Sequence, residues 1–265
     1  MIGFIGCGNM AQAMIGGMIK SGSVSPQELI VSNRSNEKLE VIAQYGVKTT
    51  MDNQAVAMKA EILIIAAKPH QYREIIVEIK PYMLPDTIVV SIAAGLTIDT
   101  LEGYFGESVK LIRTMPNTPA FVMEGMTAIM PNRRVTPEEI GQISTLFSTF
   151  GETEIIDESL IDAFIAVAGS SPAYVYMMIE AMADGAVRAG MPRDKAYRFA
   201  AQAIKGSSSM VLETSNHPGV LKDAVCSPGG TTIEAVSTLE STGFRGSILK
   251  TMENCVEKSR KMAKK

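Results

Sequence analysis

The chain begins Met1-Ile2-Gly3-Phe4-Ile5-Gly6-Cys7-Gly8-Asn9-Met10-Ala11. This is a short apolar run, then G-x-G-x-x-A, then a stretch with helical periodicity. Gly6 permits a tight turn, Gly8 lets a pyrophosphate approach the backbone, and Ala11 is small enough for close helix–strand packing. The free N–H groups at the helix start, at its positive dipole end, would face the phosphates. A strand before and a helix after are the context this motif requires. The spacing therefore points to a dinucleotide-binding turn, with an ordinary glycine turn as the alternative.

Strand and helix signals alternate through the first part of the chain. Strands are expected at Ile2–Ile5, Leu29–Ser32, Val47–Thr49, Ile62–Ala66, Ile88–Ser91 and Lys110–Arg113, with helices between them. Apolar strands without alternation, such as Ile62 to Ala67, suit parallel strands covered on both faces. Two further strands, near Thr127–Met130 and Thr153–Ile156, flank a helix beginning at Pro137. From Leu160 onward the pattern is helical almost to the end. The expected fold is α/β: a Rossmann-like doubly wound sheet over 1–157, then an all-α C-terminal domain over 158–265. Several later helices, such as Ala173–Ile179, are apolar on more than one face, and a subunit interface is the simplest cover.

A net charge of −3 over 265 residues, with no long basic block, gives no reason to expect a nucleic-acid partner. The local charge run, Lys258 to Lys265, reads as a solvated helix end. No uninterrupted apolar run reaches the roughly 18 residues of a membrane span. Cys7, Cys226 and Cys255 form no paired pattern, and the apolar start is too short for a leader, so a cytoplasmic location is expected. His70 and His217 are too few for a histidine-rich metal site, and no metal is expected.

After the second strand stands Ser32-Asn33-Arg34-Ser35, where a site for NAD usually carries a carboxylate on the ribose 2′-hydroxyl. Hydrogen-bond donors and a guanidinium favour a 2′-phosphate, hence NADPH, with NADH as a second choice; the alternative is a polar turn after the strand with Arg34 in solvent. Ala66-Ala67-Lys68-Pro69 and the segment containing Ala93-Ala94 follow two further strands and point at the same crevice. Lys68 reads equally as a ribose or phosphate contact and as a solvent-facing residue. In the second half, Ser227-Pro228-Gly229-Gly230-Thr231-Thr232 precedes a helix. Accessible N–H groups and hydroxyl donors there suit a small carboxylate. The alternative is a helix start capped by Thr231 or Thr232. His217 reads as structural rather than as a proton donor.

Taken together, these segments resemble the pyrroline-5-carboxylate reductases over nearly the whole chain. The likeness rests on G-F-I-G-C-G-N-M-A at 3–11, A-A-K-P at 66–69, M-P-N-T-P-A at 115–120, L-I-D-A at 160–163, G-S-S-P-A-Y at 169–174, H-P-G-V-L-K-D at 217–223, S-P-G-G-T-T at 227–232 and G-F-R at 243–245. It implies reduction of L-1-pyrroline-5-carboxylate to L-proline by NAD(P)H, in a homo-oligomer built from dimers. It also implies cofactor contacts from Gly6, Cys7, Gly8, Asn9, Met10, Ala11, Asn53, Ala66, Ala67, Lys68 and Pro69, with Ser32, Asn33 and Arg34 near the adenosine phosphate. Glu158, Ser227, Gly229, Gly230, Thr231 and Thr232 would bind substrate, with Thr232 beside the ring nitrogen. Ala224 departs from the pattern, standing where some members carry Asn.

A protonated cyclic imine is already an electrophile, and hydride arrival leaves a neutral amine. Such a site needs positioning more than a strong acid. The rival readings are a 3-hydroxyacid dehydrogenase, which would draw on Lys205 or His217 as acid/base, and an NADPH-binding sensor without turnover.

Overall fold

The computed structural model describes residues 1–263. Eight strands form one sheet in the order β3-β2-β1-β4-β5-β6-β7-β8. They are β1 Ile2–Ile5, β2 Leu29–Ser32, β3 Lys48–Thr50, β4 Ile62–Ile65, β5 Ile88–Ser91, β6 Lys110–Pro116, β7 Gly125–Pro131 and β8 Gly151–Ile155. The first six are parallel, β7 runs antiparallel to β6, and β8 is parallel to β7. The helices of this part are α1 Asn9–Lys20, α2 Asn36–Ala43, α3 Asn53–Ala57, α4 Tyr72–Ile79, α5 Ile98–Phe105, α6 Pro137–Phe147 and the short α7 Ile161–Phe164.

The uniform apolarity of the central strands has a direct structural cause. Phe4, Val31, Ile64, Val90 and Ile112 face one way and pack with Met14, Ile15 and Met18 of α1 and with Phe147 of α6. Their neighbours Ile5, Ile30, Leu63, Ile65, Val89 and Leu111 face the other way, onto α3, α4 and α5. Successive side chains of a strand alternate faces, so two covered faces favour apolar residues at successive positions, and the polar exceptions, Ser32, Ser91, Arg113 and Thr114, stand toward the carboxyl ends of β2, β5 and β6. Chain order reverses between β1 and β4, and in such sheets the ligand crevice lies beyond the carboxyl ends of the strands at that reversal. Ile5 and Ile65, the last residues of β1 and β4, are direct partners in register. Gly6 and Ala66 therefore emerge side by side.

The chain divides into two compact units, Met1–Gly169 together with the chain from Cys255 onward, and Ser170–Asn254. The second unit contains α8 Ser171–Arg188, α9 Arg193–Thr214, α10 Pro218–Ala224, α11 Thr231–Ser241 and the first half of α12 Phe244–Ala263. Three details depart from the sequence reading. Residues Ile165–Gly169, expected to continue an α-helix, form a π-helical turn ahead of Ser171-Pro172. Pro218–Ala224, expected as turn or rim, is helical, and His217 caps it by accepting the Gly219 N–H at Nδ1. Glu158–Arg188 is by length and composition long and apolar enough to cross a membrane. No unbroken apolar run of that length is present, but a helix tolerates interspersed polar residues.

The basic end of the chain is engaged where it is described. Ser259 donates to Asp162 at 2.6 Å and Arg260 pairs with the same carboxylate at 3.5 Å. Lys264 and Lys265 lie outside the described residues.

Candidate active site

The β1–α1 turn is built as its glycines require. Gly6 has φ +100°, and a Cβ there would stand 2.6 Å from the Ala66 carbonyl oxygen. No such crowding exists at Gly8, where a Cβ would meet nothing within 4 Å. Gly8 is also the N-cap of α1, with no side-chain cap and no acidic residue in the first turn. The leading N–H groups of α1 thus meet neither a side-chain cap nor a competing carboxylate, a ready anion site.

A cavity of about 180 Å³ opens at this turn. Its lining takes Gly6, Cys7 and Gly8 from the first turn, Asn33 and Arg34 from the second strand end, Asn53 from α3, and Ala66, Ala67 and Lys68 from the fourth strand end. Asn33 braces the turn by accepting the Cys7 N–H at 3.2 Å. The Cys7 thiol is buried, which raises its pKa above the ordinary thiol value. Asn53 is held from both ends of its amide, accepting from Ser32 at 2.7 Å and donating to Glu78 at 2.9 Å. Sequence reasoning missed Lys38, Gln71 and Ile75, which also line the cavity. Lys38, in the first turn of α2 and four residues after Arg34, was a second cation close to the same strand end, which offered the signal. Three cations and no carboxylate line the space, and none of Arg34, Lys38 and Lys68 is in an ion pair among the described residues. A dinucleotide carrying an extra phosphate fits such a lining.

Other expected contacts lie elsewhere. Asn9 is exposed on α1, Met10 is half-buried, and Ala11 packs into the core at 1% exposure. Pro69 opens a 3-10 turn, Ala93 is buried and Ala94 half-buried, all outside this lining. The Ser32 side chain is fully buried and donates to Asn53, and so braces that amide at the cleft.

Glu158 lies elsewhere in the first unit. Its Oε1 accepts from the buried Arg113 guanidinium at 2.6 Å and from the Ile98 N–H at 2.8 Å. It borders a larger cavity of about 900 Å³ that also has Asp99, Glu102, Arg133 and Arg134 on its walls. Arg113 was not singled out from the sequence, although a cation in the interior of a strand, directly after Leu111-Ile112, was the available signal.

In the second unit, the 227–232 loop makes a tight turn. Gly229 has φ +66° and the Gly230 N–H donates to the Ser227 carbonyl at 3.0 Å. Gly230 is the N-cap of α11 and no side chain caps it. The alternative in which Thr231 or Thr232 caps the helix is therefore wrong. Both threonines lie inside the first turn, Thr231 exposed and Thr232 half-buried.

Fold and cleft together define a doubly wound dinucleotide-binding protein with a helical second part. Residues 158–262 match the family model for pyrroline-5-carboxylate reductase dimerisation, and residues 1–95 match that for NADP oxidoreductase, coenzyme F420-dependent. The chain is 52% identical to the pyrroline-5-carboxylate reductase of Escherichia coli K12, covering 99% of this chain and 98% of that one. It superimposes on the solved pyrroline-5-carboxylate reductase of Coxiella burnetii with a TM-score of 0.94 at 32% identity, covering 100% of this chain and 98% of that one. The Plasmodium falciparum enzyme solved with NADP bound gives a TM-score of 0.87 at 31% identity, covering 99% of this chain and 97% of that one. The chain belongs to the pyrroline-5-carboxylate reductase family.

Proposed function

We propose that this chain reduces L-1-pyrroline-5-carboxylate to L-proline with NADPH, the last step of proline synthesis. The observation that carries this reading is likeness over the full length, at 52% identity, to a reductase of that name. When bound, NADPH supplies the hydride that the imine carbon accepts. The chain's own residues bind and orient. The Gly6–Gly8 turn and the start of α1 hold the pyrophosphate. Arg34 and Lys38 hold the 2′-phosphate, and NADH is the weaker donor. The N–H groups of the 227–232 loop hold the substrate carboxylate, and Thr232 donates to or accepts from the ring nitrogen. Absorbance-followed NADPH oxidation that depends on added pyrroline-5-carboxylate and yields proline is the expected result. Wild-type protein that oxidises no NADPH with this imine overturns the reading.

Two substitutions divide the site. Arg34→Ala is expected to raise the KM for NADPH by about 10-fold while leaving that for NADH unchanged, since a charge-assisted phosphate contact is lost only for the former. Thr232→Ala is expected to lower kcat/KM for the imine by about 10- to 100-fold, the size of one hydrogen bond to a charged group. Its KM for NADPH stays at the wild-type value. A Thr232→Ala enzyme with unchanged kcat and KM for the imine removes that role.

We also read the chain as a homo-oligomer built from dimers through its helical unit. Met177 and Phe199 are 68% and 60% exposed there, and a partner copy is the natural cover for such side chains. The apolar stretch Glu158–Arg188 is read as subunit interface rather than lipid contact. The Cys7 and Cys226 thiols, outside any disulfide, suit a reducing compartment such as the cytoplasm.

A further inference from the structure

A closed group of hydroxyls lies behind the nucleotide cleft. Tyr72, the first residue of α4, is fully buried. Its hydroxyl donates to the Ile65 carbonyl at 2.5 Å. Ser91, the last residue of β5, is equally buried and donates to the Tyr72 oxygen at 3.1 Å. The Ser91 oxygen in turn accepts the Ala93 N–H at 3.3 Å. The Ile65 carbonyl also takes the Ile92 N–H at 3.4 Å, and Thr114 donates to the Ser91 carbonyl at 3.1 Å. Burial pushes the Tyr72 phenol well above its ordinary range, so it stays protonated and remains a donor.

The position of these bonds gives them meaning. Ile65 immediately precedes Ala66-Ala67, which line the cleft, and Ser91 precedes the Ile92–Ala94 turn. The Ala66 carbonyl sits where a Cβ on Gly6 would be 2.6 Å away. A shift of the β4 end therefore bears directly on the phosphate turn. A phenylalanine would fill the same apolar volume, so packing alone does not call for the hydroxyl.

We propose that Tyr72 is a positioning residue for hydride transfer: with Ser91 it clamps the turns after β4 and β5 in one register, and so fixes the wall against which the reduced nucleotide is held. This rests on the reading of the cleft as the NADPH site.

The test uses the full chain with Tyr72→Phe, Ser91→Ala and the double variant. Thr87→Val is the control. Thr87 is also a buried hydroxyl bonded to a carbonyl, that of Ala60 at 2.8 Å, but it precedes β5 at the opposite end of the strands. Melting temperature, steady-state constants and the isotope effect with NADPH deuterated at the transferred position are measured. Tyr72→Phe and Ser91→Ala are each expected to lower kcat roughly 10-fold, because misplaced reactants lose effective molarity, and to enlarge the isotope effect. The double variant does no worse than the worse single one, as members of one network do. Thr87→Val lowers the melting temperature and leaves the kinetics alone. Tyr72→Phe with wild-type kcat, NADPH KM and isotope effect overturns the proposal. If Tyr72→Phe does not fold, Ser91→Ala decides by the same readings. Wild-type protein without imine-dependent NADPH oxidation overturns the functional reading as well, whereas an active wild type with unaffected variants overturns the clamp alone.

Discussion

Gly8→Ala is expected to fold as the wild type does and to bind NADPH at least about 10-fold more weakly, whereas Gly6→Ala is expected to lose both stability and binding. Their surroundings differ in kind. At Gly8 a Cβ enters open space, because nothing of the protein lies within 4 Å. That space faces the unshielded N–H groups at the start of α1. A methyl group costs the chain nothing there and occupies volume that a phosphate needs. At Gly6 the Cβ lands 2.6 Å from the Ala66 carbonyl oxygen, and the backbone sits at φ +100°. A side chain in that conformation costs about 1–3 kcal/mol before the clash is counted. Relief requires separating β1 from β4, which are paired from Ile2↔Ile62 to Ile5↔Ile65. Thermal melts and nucleotide titration of the two variants read the difference. Equal melting losses in both, or unchanged binding by Gly8→Ala, would remove the phosphate role from this turn.

Much of the first unit was legible because its constraints are local. The two-faced burial of β4 and β5 is written in unbroken apolar runs, and the turn in G-x-G-x-x-A. What escaped depends on distant partners. Ser32 stands beside Asn33 and Arg34, and its bond to Asn53 joins residues 21 positions apart. The pair of Arg113 and Glu158 joins residues 45 positions apart. Tyr72 reads from sequence as one more apolar position on α4, because its hydroxyl partners, Ile65 and Ser91, are brought to it only by the sheet. In the second unit the long helices were legible, while α10 and the cap of α11 were not: for the cap, either threonine satisfies the local preference, and the turn at Gly229 moves it to Gly230.

Phe199→Asp is expected to abolish the dimer and with it nearly all activity. Among the buried hydrophobic residues, the stretch 170–254 contributes only Ala183, Ala196 and Ala200. Three alanine methyl groups cannot offset the entropy of ordering this many residues, at about 1–2 kcal/mol for each backbone unit. Large side chains are present instead on the outside: Phe199, Met177 and Leu212 are 60%, 68% and 76% exposed. A folded monomer would tolerate Asp at such an exposed place within about 0.5 kcal/mol. A dimer closing over α9 would bury two unpaired carboxylates by symmetry, at several kcal/mol apiece. The two cases differ so widely that one substitution separates them. Sedimentation should show the variant at the 28.5 kDa of one chain, with a lowered melting temperature and NADPH oxidation at background. Activity should return toward wild type with Phe199→Leu, which restores the apolar surface. A variant that keeps the wild-type mass and turnover would mean that α9 faces water and that the helical unit finds its cover elsewhere.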